Sequence, residues 1–282
     1  MAPCIFQDDI ARLAENLESV KHGNDKIEEM AEEKLLDFNF DKSCYLLIGK
    51  KKFQNKINNQ LSQKPIMFCG QQMKMVKSER YLGDYIGHSL AESVFITVQK
   101  RKGLCKRLIS EIKVTLKDCR INVIGGLTTG LEIWNLAVIP YLLGNAECWM
   151  EIPKKAINVL NSIQNDFLRS LFQTGNGTPI SALYWDTGSL MIENQIMQRK
   201  LLFLYHLMTL PENSLAKEIY LIQKENALPG LVNECEQFLS DLNIHADPST
   251  FTKGQWKKII RKKIQDRNKQ LLLQQIREYK KT

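Results

Sequence analysis

The chain has 282 residues, of which 44% are hydrophobic and 25% charged, a composition that argues against disorder and suits one large domain or two smaller ones. Its apolar runs are too short to span a bilayer, and its seven scattered cysteines include no C-x-x-C pair. The four histidines show no zinc-ligand spacing with those cysteines. These features predict an intracellular protein without disulfides, zinc or membrane spans.

The formal net charge of +8 is unevenly distributed along the chain. Residues 1–47 carry five basic and eleven acidic side chains, whereas residues 48–120 carry sixteen and five. Residues 121–252 carry seven and thirteen, and residues 253–282 carry eleven and two. Two basic blocks on an otherwise acidic chain suggest a polyanionic partner, most commonly nucleic acid. Solvated lysine-rich helix faces would give the same composition, so both interpretations stay open at this point.

The first predicted element is a hairpin that carries two neighbouring acids. Cys4-Ile5-Phe6 suits a strand, Asp8 and Asp9 follow, and the chain becomes apolar again at Ile10. Two carboxylates at a hairpin tip concentrate negative charge, and hard oxygen ligands of this kind suit Mg²⁺. An exposed Asp-Asp turn without a metal is the alternative. The residues after Asp9 suit either a returning strand or the start of a helix.

The next predicted elements form a small α+β region. Asn24 is expected to cap a helix that ends near Leu36. Residues 44–49 suit a strand, and two apolar runs flank Gly70-Gln71-Gln72 as in a β-hairpin. A third strand is predicted over residues 81–87.

Beyond residue 90 the pattern predicts helices alone, with breaks at glycines and prolines. The predicted fold class is therefore α+β, with a small antiparallel sheet followed by a mostly α-helical region. The expected helices cover residues 91–118, 122–149, 153–173, 179–187, 191–208, 212–223, 231–240 and 254–280.

Five motifs in this order resemble the C-terminal part of a reverse transcriptase from a non-LTR (LINE-type) retrotransposon. Phe6-Gln7-Asp8-Asp9 is similar to the aromatic-x-Asp-Asp turn of the palm. Residues 35–43, which end in Asn-x-Asp-Lys-Ser, look like the next palm motif, and residues 81–86 resemble the primer grip. Residues 139–149 and 164–169 are similar to thumb-helix motifs.

The resemblance implies an RNA-directed DNA polymerase that uses two metal ions, an RNA template, a DNA primer and dNTPs. Asp8 would be the main Mg²⁺ ligand and Asp9 a more peripheral one. Lys42 would donate a proton to the leaving pyrophosphate or stabilise its charge; a lysine that completes a helix dipole is the alternative. Tyr81, Leu82 and Gly83 would position the primer end, and their alternative is a core strand.

The resemblance also implies that basic residues after the hairpin contact the phosphates of the template–primer duplex. The C-terminal basic segment is predicted to form an amphipathic helix that holds RNA or DNA. A nuclear-localisation run or a partner-binding helix are its alternatives. The four tryptophans are expected mainly in the core. The expected nucleic-acid-binding residues are Lys100, Arg101, Lys102, Lys106, Arg107, Lys113, Lys257, Lys258, Arg261, Lys262 and Lys263.

The sequence departs from the family in what precedes the Asp-Asp turn. In the family the fingers, the first catalytic aspartate and the nucleotide-selecting segment all come before this turn. An adjacent acid pair cannot hold both metals unaided, so we expect this polypeptide alone to bind Mg²⁺ weakly or not at all, and not to polymerise DNA. The predicted layout is a partial palm (1–88), a thumb-like domain (89–175), a helical C-terminal region (176–250) and a basic amphipathic helix (251–282). A non-catalytic nucleic-acid-binding module is the alternative function.

Overall fold

A computed structural model describes residues 4–6, 9–118, 123–175 and 177–279, and it confirms the α+β class. The described chain forms two compact units. The first contains the described residues up to Tyr81 together with Ile86–Ser89. The second contains Leu82–Tyr85 and the described residues from Leu90 onward.

The strands near the N-terminus are short and pair two by two rather than in one sheet. Strand β1 pairs antiparallel with β2, and β4 with β5, whereas β3 and β6 are parallel. Strands β7 and β8 form a fourth two-stranded sheet among the described residues. The elements are β1 (Cys4–Phe6), β2 (Asp9–Ala11), α1 (Leu17–Lys34), β3 (Cys44–Tyr45), α2 (Lys51–Gln63), β4 (Met67–Phe68), β5 (Gln71–Gln72), β6 (Lys74–Met75), β7 (Glu79–Tyr81) and β8 (Asp84–Ile86).

The first helix begins earlier than predicted, because a different asparagine caps it. The side chain of Asn16 accepts a hydrogen bond from the backbone N–H of Ser19 at 2.8 Å. Asn24 instead lies inside α1, where its side-chain amide donates to the backbone carbonyl of Met67 at 3.0 Å. The predicted cap is therefore wrong, and Asn24 fastens α1 to β4.

The predicted hairpin at Gly70 is present, but its turn lies earlier than expected. Cys69 and Gly70 have φ angles of 44° and 72°. Positive φ at both central residues is the geometry of a tight two-residue hairpin turn. Gln71 and Gln72 therefore belong to β5, opposite Phe68 and Met67, rather than to the turn.

The second unit is helical, and its helices agree closely with the predicted ones except in one region. Residues 122–149 were expected to form a single helix, but a π-helical turn at Trp134–Val138 interrupts it. Pro140 lacks a backbone N–H and cannot donate to the preceding turn. The backbone hydrogen bonds change here from the α-helical to the π-helical pattern, and Ile139 donates to the carbonyl of Trp134, five residues before it. The helices are α3 (Leu90–Asp118), α4 (Val123–Ile133), α5 (Ile139–Leu142), α6 (Lys154–Leu171), α7 (Ile180–Thr187), α8 (Ile192–Met208), α9 (Leu215–Glu225), α10 (Leu231–Asp241) and α11 (Lys253–Tyr279).

Two hydrophobic clusters form the core of the helical unit. The first includes Trp134 stacked on Phe167, with ring centroids 4.3 Å apart, and the second includes Trp256. Helix α11 contributes to both clusters through every fourth residue. Because a four-residue step advances about 40° around a helix, this buried line winds around α11 as it passes from one cluster to the other. Its members are Trp256, Ile260, Ile264, Asn268 and Leu272.

Buried thiols provide a first test of these cores. Cys105 lies in the first cluster and Cys235 in the second, both without solvent exposure, and burial raises the pKa of Cys105 to about 11 and of Cys235 to about 12. We expect a thiol reagent at pH 8.5 to label exposed Cys69 and Cys148 in the native protein. Cys105 and Cys235 should react only after denaturation, which peptide mass spectrometry would show. Equally fast labelling of all four would mean that the cores are not formed.

Candidate nucleic-acid interface

The predicted metal site lies at the β1–β2 hairpin of the first unit. Asp9 opens β2 opposite Phe6, so the residues after the acid pair form a returning strand. Asp8 lies outside the described residues, and the side chain of Asp9 is also undescribed. Among the residues that are described, no group of three or more His, Cys, Asp or Glu side chains could hold a metal ion. Metal binding by Asp8 and Asp9 stays a prediction.

Lys42 lies in an exposed turn just before β3, and its backbone N–H donates to the carbonyl of Asn39 at 3.2 Å. Helix α1 ends at Lys34, so Lys42 does not complete a helix dipole, and that alternative is wrong. Strand β3 pairs with β6, and β1 with β2, so no ladder described here joins the segment after Lys42 to the Asp9 hairpin. Its role in pyrophosphate release stays a prediction.

Of the predicted primer-positioning residues, Leu82 and Gly83 form a tight turn, whereas Tyr81 belongs to a strand. Tyr81 ends β7, and Leu82 and Gly83 follow with φ angles of 48° and 91°. The left-handed conformation is unfavourable for leucine and costs on the order of 1 kcal/mol, yet the Leu82 side chain is 46% exposed. The turn therefore presents an apolar side chain to solvent in a strained backbone.

Arg101 does not belong to the set of phosphate contacts, which corrects the prediction made from its basic surroundings. The residue is 7% exposed, and its guanidinium donates to the carbonyl of Gly83 at 3.0 Å and to Asp84 Oδ1 at 2.5 Å. It also donates to the carbonyls of Leu142 at 3.3 Å and Gly144 at 2.7 Å. A buried guanidinium with four acceptors has no free face for a phosphate.

Other basic residues of α3 do reach solvent. Lys106 and Lys113 are exposed and Lys102 is half-buried. A turn of 100° per residue places these three side chains within about 40° of one another on one face of the helix. We call them the α3 lysine row. Within the described part of the chain, no carboxylate forms a salt bridge with any of them.

Two predicted contacts on α3 lie away from this row. Arg107 pairs with Glu111 at 3.5 Å on the exposed surface. The Lys100 ammonium lies 5.6 Å from the centre of the Tyr85 ring. Both charges remain accessible, but each already has a partner in the unit, which weakens its attraction for a phosphate.

Helix α11 carries a second basic surface. Lys257, Lys258, Arg261 and Lys262 are exposed, whereas half-buried Lys263 donates to the carbonyl of Asn243 at 3.4 Å. The apolar side of α11 packs on α7 and α8, so only the exposed basic side is available to another protein, and the interpretation as a partner-binding helix stays a prediction.

Lys269 also belongs to this surface, although it is not among the residues predicted from the sequence. Together with Lys258 and Lys262 it repeats the spacing of the α3 row, namely i, i+4 and i+11. Lys269 is exposed, and these three lysines also lie within about 40° of one another. We call them the α11 lysine row. The repeated spacing was present in the sequence and could have identified Lys269.

The tryptophans are mostly structural, as expected. Trp134, Trp149 and Trp256 are at most 4% exposed, whereas Trp185 is 45% exposed. Three of the four therefore cannot stack on bases without unfolding the core.

Comparisons with known proteins give no relative for this chain. No family model matches it, and no curated protein and no solved structure is similar to it. Among the described helices, none is both long enough and apolar enough to cross a membrane. The functional argument therefore rests on the residues and contacts described above.

Proposed function

We propose that this chain is the palm-end and thumb part of an RNA-directed DNA polymerase of the non-LTR retrotransposon type. In this proposal the helical unit holds the template–primer duplex by its phosphates. The α3 lysine row is the observation that carries the proposal, because it is a solvent-accessible line of positive charge on the helix that follows the primer-grip-like turn. The order of the five family-like motifs supports the same assignment.

The spacing of the row suits a nucleic-acid backbone. Lys102 and Lys106 are about 6 Å apart along the helix, and Lys106 and Lys113 about 10.5 Å. A lysine ammonium acts as a point charge and tolerates such variation in phosphate position. Contacts of this kind give affinity without sequence preference, and they weaken steeply with salt because counterions are released.

Replacing Lys102, Lys106 and Lys113 together by glutamine tests the proposal. The probe is a 20-base-pair RNA–DNA hybrid with a recessed DNA 3′ end, and binding is measured by fluorescence anisotropy at several salt concentrations. The plot of log K against log salt concentration has a negative slope, and each lost phosphate contact should reduce its magnitude by about 0.9. The slope of the triple variant should therefore be smaller in magnitude by about 2.7 than that of the parent chain.

A matched control removes the same charge elsewhere. Lys51, Lys52 and Lys56 are exposed on α2 of the first unit, and replacing them by glutamine should leave most of the slope intact. Equal losses in the two triple variants would show that net charge rather than the row drives binding. No binding of the hybrid by the parent chain at low salt would refute the proposed function itself.

The catalytic part of the proposal rests on Asp8 and Asp9. When bound, metal ions would activate the primer hydroxyl and neutralise the triphosphate. The resemblance assigns only this adjacent pair as metal ligands in the chain, and one pair cannot hold two ions. We therefore expect the polypeptide to bind the duplex without extending the primer. Template-dependent extension in Mg²⁺ that is lost in Asp8→Asn would contradict this expectation.

A non-catalytic nucleic-acid-binding module is the second candidate, since both lysine rows lie in the helical unit and neither depends on the acid pair. It predicts equal affinity for RNA–DNA hybrids with and without a free primer end. A preference for the recessed end would favour the polymerase assignment.

A further inference from the structure

The Leu82-Gly83 turn is fastened to the helical unit at every residue from Leu82 to Tyr85. The Asn145 side-chain amide donates to the carbonyl of Leu82 at 3.2 Å. The backbone N–H of Tyr85 donates to Thr97 Oγ1 of α3 at 2.8 Å. These two bonds hold the ends of the segment, and Arg101 binds both residues between them.

Arg101 of α3 binds the centre of the turn with one nitrogen and a second segment with the other. Its Nη2 donates to Gly83 and Asp84, while its Nη1 donates to the carbonyls of Leu142 and Gly144. Only the planar guanidinium fork can serve two segments in this way, because an ammonium is a compact point donor.

The surroundings of Asp84 reinforce this arrangement. Trp149 Nε1 donates to Asp84 Oδ2 at 3.3 Å, so the carboxylate is held from both sides. The guanidinium carbon of Arg101 also lies 5.7 Å from the Trp149 ring centre and 6.0 Å from that of Tyr141. The centre of the turn is therefore bound to α3 through Arg101 and to Trp149 through Asp84.

We infer that Arg101 is a positioning residue that fixes the Leu82-Gly83 turn relative to the α3 lysine row, so that both contact one duplex at a set distance. The inference deepens the proposed function and rests on it. Arg101 faces inward and its neighbour Lys102 begins the row, so the residue that binds the turn and the row lie on a single helix.

This arrangement selects the end of a duplex. A half-exposed apolar side chain such as Leu82 finds an apolar base face only where stacking stops, at a terminus. Lys102 and Lys113 are eleven positions apart, or about 16.5 Å along α3. At about 3.4 Å per phosphate along one strand, the row covers about five phosphates. We expect Leu82 at the terminal base and the row on the five phosphates next to it.

The test uses the full chain and the same hybrid, with 2-aminopurine as the last DNA base and ethylation interference to map phosphate contacts. For the parent chain we expect a change in terminal fluorescence and interference at about three phosphates, all within the five next to the end. Arg101→Lys should bind within about threefold of the parent affinity but lose the terminal signal and the fixed interference pattern. Arg199→Lys, at an arginine of the helical unit that pairs with Glu147 and lies outside the predicted binding set, is the control and should change neither.

The outcomes separate the inference from the proposed function. A folded Arg101→Lys protein that keeps both signals would overturn the inference. Binding by the parent chain without a terminal signal would overturn the inference alone, whereas no binding would refute the proposed function. Should Arg101→Lys not fold, Leu82→Ala removes an exposed side chain, and it must lose the terminal signal with an unchanged salt slope if the inference is right.

Discussion

Replacing Glu234 by leucine is expected to lower the free energy of unfolding by about 3 kcal/mol, because it strands a buried positive charge. Lys200 of α8 has no solvent exposure, and its ammonium lies 2.5 Å from Glu234 Oε2 of α10. The glutamate side chain is 32% exposed, which places the loss at the lower end of the range for buried pairs. Urea denaturation followed by far-UV circular dichroism measures the change.

A double variant separates the cost of the stranded charge from the value of the pair. Lys200→Met with Glu234→Leu removes both charges and should recover most of the stability, since apolar replacement of a buried pair is often neutral. Glu236→Gln on the exposed side of α10 is the control and should stay within about 0.5 kcal/mol of the parent. Full stability of Glu234→Leu alone would show that the lysine reaches solvent without its partner.

Replacing Trp256 by alanine is the second substitution with a large expected effect, about 3–5 kcal/mol. The indole is fully buried and lies between the rings of Tyr205 and Phe251, with centroids 6.3 Å and 6.1 Å away. Its Nε1 donates to the carbonyl of Leu201 at 3.1 Å. The substitution therefore opens a cavity and removes the hydrogen bond that joins α11 to the carbonyl of Leu201 in α8.

Thermal unfolding gives the measurement, and the chain supplies a matched control. Trp185→Ala removes the same side chain from a position that is 45% exposed, so its loss should be below about 1 kcal/mol. Similar decreases in melting temperature for the two variants would contradict the burial of Trp256 in the second cluster.

Local pattern predicted most of the helices, because an amphipathic period and a glycine or proline break are both contained in neighbouring residues. It failed where distant contacts decide. Asn16 and Asn24 are equally good N-cap residues by sequence. Asn16 caps the helix, whereas the side chain of Asn24 donates a hydrogen bond to the carbonyl of Met67 in a separate strand. The turn at Gly70 lies earlier than predicted because Cys69 also adopts a left-handed conformation, which its residue type does not indicate.

In the candidate interface, too, features set by neighbouring residues were predictable and features set by distant contacts were not. The exposed lysines of α3 and α11 were predictable because basic residues at helical spacing are usually solvated. Arg101 was not, since its acceptors include the carbonyls of Leu142 and Gly144, some forty positions away. The assignment of Asp8, Asp9 and Lys42 to catalysis comes from the resemblance and stays a prediction.

The winding buried line of α11 has a consequence for how the protein is made. On the ribosome, α11 is synthesised after every helix it packs against, including α7 and α8. Until Trp256 and Leu272 have left the ribosome, both hydrophobic clusters lack the side chains that α11 contributes. Their apolar surface is then exposed to chaperones and to other nascent chains. A stop codon before Lys253 would remove little mass but leave neither cluster closed, so such a product is expected to aggregate or be degraded rather than persist as a shorter binding protein.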